Sequence, residues 1–197
     1  MEYKIIIGTI AVAIQLGSYA IYFHGIWKGK TKPHAFTWLV WGILSAVGFA
    51  AVAVSGGEAG SWILAVNTVA CLTIAGIGFK QKRVHYDLYD WLALVGALIG
   101  ILLWWFTKNP LYAVILVALS DIICAIPTIR KAYRLPFEEN AISFSIGIFY
   151  YPLSILALET LSVTTWLYPV SITFIDIVLV AIILIRRKKL GRPVDNM

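Results

Sequence analysis

Seven apolar runs, holding only two formal charges between them, constrain this chain more than any other feature. They cover residues 5–23, 36–54, 61–79, 91–106, 111–129, 142–158 and 163–185. A helix that crosses the hydrocarbon core of a bilayer needs about 20 mostly apolar residues, and these runs meet or approach that length. The two charges inside them are Asp121 and Asp176. The fourth run is the shortest and is followed by Asn109-Pro110, where proline biases the preceding residue away from helix and forces a turn. Composition agrees: 60% of the residues are hydrophobic and 13% charged, against roughly 45–50% and 25% in a soluble domain, and mean hydropathy is +0.85. So little polar surface cannot cover a soluble core of that size. A soluble enzyme, a disordered tail and a nucleic-acid-binding domain are excluded, despite the net charge of +6. The expected fold is all-α, a polytopic membrane protein of seven transmembrane helices.

The basic residues set the orientation. Loops on one side hold fourteen of the sixteen Lys and Arg, among them Lys28, Lys30 and Lys32, then Lys80, Lys82 and Arg83. Arg130, Lys131 and Arg134 follow, and the last group runs from Arg186 to Lys189 with Arg192. The opposite side holds Lys4 and Lys108. Cytoplasmic loops carry the excess of Lys and Arg, so the amino terminus is expected outside and the carboxyl terminus in the cytoplasm, in the plasma (inner) membrane of a prokaryote. The first run is expected to stay as a signal anchor, because it is too long for a cleaved signal and no A-x-A site follows it. Cys71 and Cys124 lie within spans without metal-ligand spacing, and are read as buried free thiols.

An internal repeat organises the spans. Displacing the first half by 106 residues brings Gln15, Ser18 and Tyr22 onto Asp121, Cys124 and Thr128. The same shift brings Thr37, Trp41, Ser45 and Gly48 onto Ser143, Gly147, Tyr151 and Ser154, and a shift of 104 brings Asn67 onto Ser171. The coincidences are mainly polar in an apolar background. They imply three helices, one linker and three helices: a first triple-helix bundle at 1–83, a linker helix at 84–108, and a second bundle with a basic tail at 109–197. A three-helix unit crosses the membrane an odd number of times, so the linker span restores orientation and makes the bundles parallel repeats. Gly96 and Gly100 give the linker a face for close helix packing.

Helical spacing collects the polar residues into stripes. Polar side chains avoid hydrocarbon, so stripes on related helices are expected to face one another around a wet site. Asp121, near mid-span, is a candidate for substrate binding or proton coupling, with Gln15 or Asp176 as its partner. Asp176 is the second proton-coupling candidate, although its counterpart Leu72 is apolar. Asn67 and Ser171, at one depth in each half, suit a two-fold substrate site. Trp27, Trp38, Trp62, Trp91, Trp104, Trp105 and Trp166 sit near span ends and read as an interfacial belt. Trp41, a turn deeper, is the tryptophan nominated to stack on a substrate. Pro127, Pro152 and Pro169 bend the second half.

This plan, with a basic first loop in each half, resembles the SWEET and PQ-loop group of transporters. The segment IPTIRKAYRLPFEENAISFS is similar to that group's loop from a Pro-Gln pair to a Ser, with Pro127-Thr128 standing for the pair. GKTKPHAFTWLVWG and LSDIICAIPTIRKAY also resemble a set of small prokaryotic membrane proteins of this shape. The resemblance implies a substrate pocket lined by the third helix of each half, at Asn67 and Ser171, and by an aromatic on the second, at Trp41 or Trp38, with Phe144 or Gly147 in the second half. The vitamin-transporting relatives of nicotinamide riboside permease share the plan. The expected function is therefore a facilitator or proton-coupled transporter of a small polar solute, such as a sugar, nucleoside or vitamin, working by alternating access. The site residues are Asn67, Ser171, Trp41, Gln15 and Asp121. The alternative is a non-transporting sensor, scaffold or partner subunit. No enzyme motif is present: there is no HExxH or GxSxG, and His24, His34 and His85 are expected in loops. Expected partners are the solute and membrane lipid, with no nucleic acid and no cofactor; a homo-oligomer stays open.

Overall fold

In a computed structural model, residues 2–80 and 88–191 of the chain are described. They form seven α-helices and two short 3₁₀ turns: α1 (Glu2–Trp27), α2 (Ala35–Val54), α3 (Trp62–Lys80), α4 (Leu88–Thr107), α5 (Pro110–Arg134), α6 (Ala141–Leu156) and α7 (Val163–Leu190). The turns cover Glu58–Ser61 and Pro136–Glu138. Lys82, Arg83, His85 and Arg192 lie outside the described residues. Six helices are long and apolar enough to cross a membrane; α6, at 16 residues, is the exception. The chain is a multi-pass helical membrane protein. The expectation that the fourth span is the shortest is corrected: α4 starts three residues before its apolar run, whereas α6 stops at Leu156 and turns through Ala157.

Local chemistry explains the helix starts. The His34 ring accepts from the Thr37 amide at the start of α2, and Asn140 accepts from the Ser143 amide at the start of α6, each satisfying a donor that helix geometry leaves free. Asn109 caps α5, with Pro110 at the first helical position. Ser162 and Thr165 form a capping box on α7. Pro127, Pro152 and Pro169 all lie inside helices of the second half. His24 lies within the last turn of α1 rather than in a loop.

The helices pack in a definite pattern. α1 lies on α3 and α6; α5 lies on α7 and α2; α2 packs on α3 and α6 on α7. Among the described residues, α1 and α5 do not touch. The Gln15 and Asp121 stripes therefore do not pack directly on each other: Gln15 bonds to α3, Ser18 meets α6 and Cys124 meets α2. α4 docks on α5 through small residues. Ala93, Ala97 and Gly100 are buried, and a Cβ on Gly96 would sit 2.2 Å from Ser120 Oγ. Its other faces expose Leu92, Val95, Leu98, Leu102 and Phe106, an apolar coat suited to lipid.

The basic end of the bundle is tied by ion pairs between loops. Lys32 pairs with Glu138, and Lys131 Nζ lies 2.6 Å from Glu139 Oε1 while also donating to the Lys32 carbonyl. Arg187 Nη2 donates to the Glu139 carbonyl at 2.7 Å. Burial pushes the Glu139 carboxyl above the ordinary glutamate range, against the opposing pull of Lys131. At the other end Lys4 pairs with Glu159 at 3.2 Å.

Candidate functional site

A cavity opens inside the bundle, lined from α1, α2 and α3 and from α5, α6 and α7. Within about 570 Å³ of atom-free space that includes its open mouth, a water-sized sphere can centre itself in about 60 Å³. Since one water needs roughly 10–15 Å³ on that measure, the space admits a handful of waters or a solute of similar size.

Polar atoms reach it from several helices. Asp121 on α5 and Asp176 on α7 both line the cavity and are 3% and 7% exposed. Asp121 Oδ2 has no hydrogen-bond partner, and neither do the Trp41 indole N–H and the Tyr22 hydroxyl, which also border the space. Buried polar groups normally find partners, so three orphans around one cavity mark a place where a solute or water is expected to complete the set.

Asn67, also in the wall, is fully engaged. Its Oδ1 accepts from Tyr19 and from Tyr151, the latter at 3.0 Å. Its Nδ2 donates to Ser45 Oγ at 2.6 Å, and Ser45 lies 3.3 Å from the Tyr168 hydroxyl. One amide thus holds three tyrosines from α1, α6 and α7 around the space, directly or through Ser45. Asn67 shapes the cavity rather than leaving its amide free toward it.

Ring packing builds the rest of the wall. Tyr22 and Trp38 stand 4.8 Å apart, Trp38 and Trp41 5.2 Å apart edge to face, and Phe144 closes on Tyr22 at 6.1 Å. Tyr150 and Tyr151 stack at 4.5 Å. Trp38 is thereby corrected from belt to cavity wall: it is 6% exposed, because the stripe that carries Trp41 turns it inward. Trp27, Trp62, Trp91 and Trp105 are exposed, and Trp104 and Trp166 half-buried.

Two glycines make room. A Cβ on Gly147 would stand 2.0 Å from Asp176 Oδ2, and one on Gly48 would stand 2.4 Å from the Tyr168 ring. At Gly147 the space a side chain would fill is used by a carboxylate.

The expected site residues divide accordingly. Trp41, Asn67, Asp121 and Asp176 share the cavity, whereas Gln15 and Ser171 do not reach it. Gln15 Nε2 donates to the Ile63 carbonyl on α3 at 3.0 Å, not to Asp121, because α1 and α5 are apart. Ser171 Oγ donates to the Tyr168 carbonyl in its own helix at 2.8 Å. The tyrosines went unnoticed except as repeat positions, since an aromatic in an apolar run reads as core.

A second buried carboxylate cluster was missed altogether. Asp90, fully buried at the start of α4, accepts from Thr37 Oγ1 at 2.7 Å and lies 3.7 Å from His34 Nδ1. Cys124 Sγ approaches the same carboxylate at 3.8 Å. Asp90 fell one residue outside the fourth apolar run, and Thr37, expected on the polar stripe of α2, points to it instead of to the cavity. Among the described residues no group of three or more His, Cys, Asp or Glu could hold a metal ion. Comparison with protein-family models, with curated proteins and with solved structures finds no match to this chain.

Proposed function

We propose that this protein is a membrane transporter whose solute site is the cavity between α1–α3 and α5–α7. The observation that carries the reading is the set of unpartnered polar atoms on Asp121, Trp41 and Tyr22 around one space, deep among helices that face lipid. Unpaired polar groups within a membrane are costly, and they mark solute or ion pathways.

The two helix trios act as parallel repeats, with α4 as the linker and α6 completing seven spans. Paired features support this. The α1–α6 contact has its counterpart in α5–α2, and α1–α3 in α5–α7. The His34 and Asn140 caps are equivalent positions, and so are Lys32 and Glu138, which pair with each other. Ser18 donates to the Ser143 carbonyl at 2.9 Å, while the equivalent Cys124 points to the Thr37 carbonyl at 3.8 Å. Rocking of one trio against the other exposes the cavity alternately to each side. Opening toward the basic end, which the positive-inside rule makes cytoplasmic, requires the Lys32–Glu138 tie to part. Dry packing between the trios would favour a scaffold or sensor; the cavity argues against it.

Uptake of radiolabelled glucose, uridine and choline into proteoliposomes tests this reading. At least one is expected to enter faster than into protein-free liposomes, with the excess cut sharply but still measurable in Asp176→Asn. Should that uptake depend on pH, Asp121→Asn is expected to remove the dependence and leave exchange intact. Entry of all three at the protein-free rate would count against transport.

A further inference from the structure

The lining of the cavity carries information about charge. Among the described residues no Lys, Arg or His borders it, although the chain holds sixteen Lys and Arg. Its two ionisable acids, Asp121 and Asp176, come from different helices, and neither is ion-paired among the described residues. Asp121 is buried with Oδ2 unpartnered, and Gly147 leaves room for Asp176 Oδ2 at a distance no side chain would permit. The Lys131–Glu139 and Lys32–Glu138 pairs lie away from the cavity lining, at the basic end.

Rings supply much of the remaining wall, with Tyr22, Trp38, Trp41 and Phe144 in one connected cluster. Aromatic faces are negative and attract cations, tryptophan most strongly, and more so away from water. An anion would meet two carboxylates and no counter-charge. A neutral polyol could use the rings and the orphan donors, yet it offers the two acids no charge to pair with, and a buried carboxylate is kept only with a partner.

We propose that the solute this cavity takes is a small organic cation, an ammonium or quaternary ammonium. Its charge lies against Asp121 and Asp176, and its apolar groups lie against the rings of Tyr22, Trp38 and Trp41. The proposal rests on the reading of the cavity as a solute site and adds the class of solute. No covalent step is involved. The selectivity is electrostatic: shape alone, without positive charge, does not suffice.

The test is thermal stabilisation of the full-length protein in detergent, since a ligand that binds the folded state raises its apparent stability. The probes are choline, its uncharged isostere 3,3-dimethylbutan-1-ol, glucose and uridine, each over a millimolar series. Choline is expected to raise Tm in a saturable way while the isostere leaves it unchanged. Asp176→Asn is expected to weaken the choline effect about 30-fold or more, as loss of one partner from a buried charge contact does. Equal stabilisation by choline and the isostere would overturn the charge argument. Stabilisation by glucose or uridine but not choline would overturn the cation class and leave the solute-site reading intact. Silence from all four probes would overturn the cation class, and uptake would then decide the transport reading separately. If Asp176→Asn does not fold, the comparison of choline with its isostere on the unaltered chain decides the matter.

Discussion

Lys131→Met is expected to lower stability by about 3–5 kcal/mol at neutral pH, the cost of leaving one partner of a buried ion pair alone. Lys131 Nζ sits 2.6 Å from a Glu139 carboxylate that is 3% exposed. The other groups near Glu139 are Arg187, whose guanidinium is engaged with the Glu139 and Pro136 carbonyls, and the like charge of Glu138. Neither replaces a direct ammonium contact. Burial already raises the Glu139 carboxyl, and removing Lys131 raises it further. The sign of the pH effect follows. A carboxyl raised above its unfolded value of about 4.3 holds its proton longer in the folded state, so stability falls as pH rises through the interval between the two values. The variant's deficit is therefore expected to be smaller at pH 5 than at pH 8. Equilibrium unfolding of both chains at the two pH values measures it. Adding Glu139→Leu should recover most of the loss, because no uncompensated charge remains. A deficit independent of pH, or no recovery in the double variant, would contradict this account of the basic end.

Gly147→Ala is expected to act on transport rather than on folding. Its Cβ would fall 2.0 Å from Asp176 Oδ2, the free end of a side chain that can turn away. The helix itself gains from alanine, which has the higher helical propensity by about 1 kcal/mol. Stability should change little, while the carboxylate leaves its position in the cavity wall. A misplacement of about 1 Å can cost a hundredfold where positioning matters, so solute uptake is expected to fall by about ten- to hundredfold. A double-mutant cycle gives the sharper readout. If Gly147→Ala works through Asp176, it has no further effect on uptake in an Asp176→Asn background. Additive losses would mean that Gly147 serves another purpose.

Apolar run length made the spans legible, because burial in lipid depends on composition that any window of residues reveals. All seven helices begin within three residues of the expected runs, and α5 and α7 run further into basic ends. Polar content in an apolar background likewise pointed to Trp41, Asn67, Asp121 and Asp176, all of which border the cavity. What a stripe cannot reveal is which neighbour it meets. Gln15 was expected to meet Asp121, yet α1 and α5 are separated, and Gln15 bonds to Ile63. Ser171 found a carbonyl one turn back, a local option open to any helical serine. Tyr19 and Tyr168 look like core in sequence and act as wall in space, because their hydroxyls reach polar partners across helices. Asp90 shows the limit of reading runs: a carboxylate at the edge of an apolar segment is buried with it when a hydroxyl such as that of Thr37 donates to it.

The central claim is that both trios enclose one polar cavity that opens to each side of the membrane in turn, and Cys71 provides a native probe of it. Its thiol borders the cavity and is 2% exposed as the helices stand. With Cys124 replaced by Ala, Cys71 becomes the one cysteine in the chain. A membrane-impermeant methanethiosulfonate reagent is then applied separately to right-side-out and inside-out vesicles, and labelling is followed by mass. Modification from both sides, slowed by a solute that the protein carries, is the predicted result. A Cys71 that stays unmodified from both sides, while labelling fully in unfolded protein, would contradict the account.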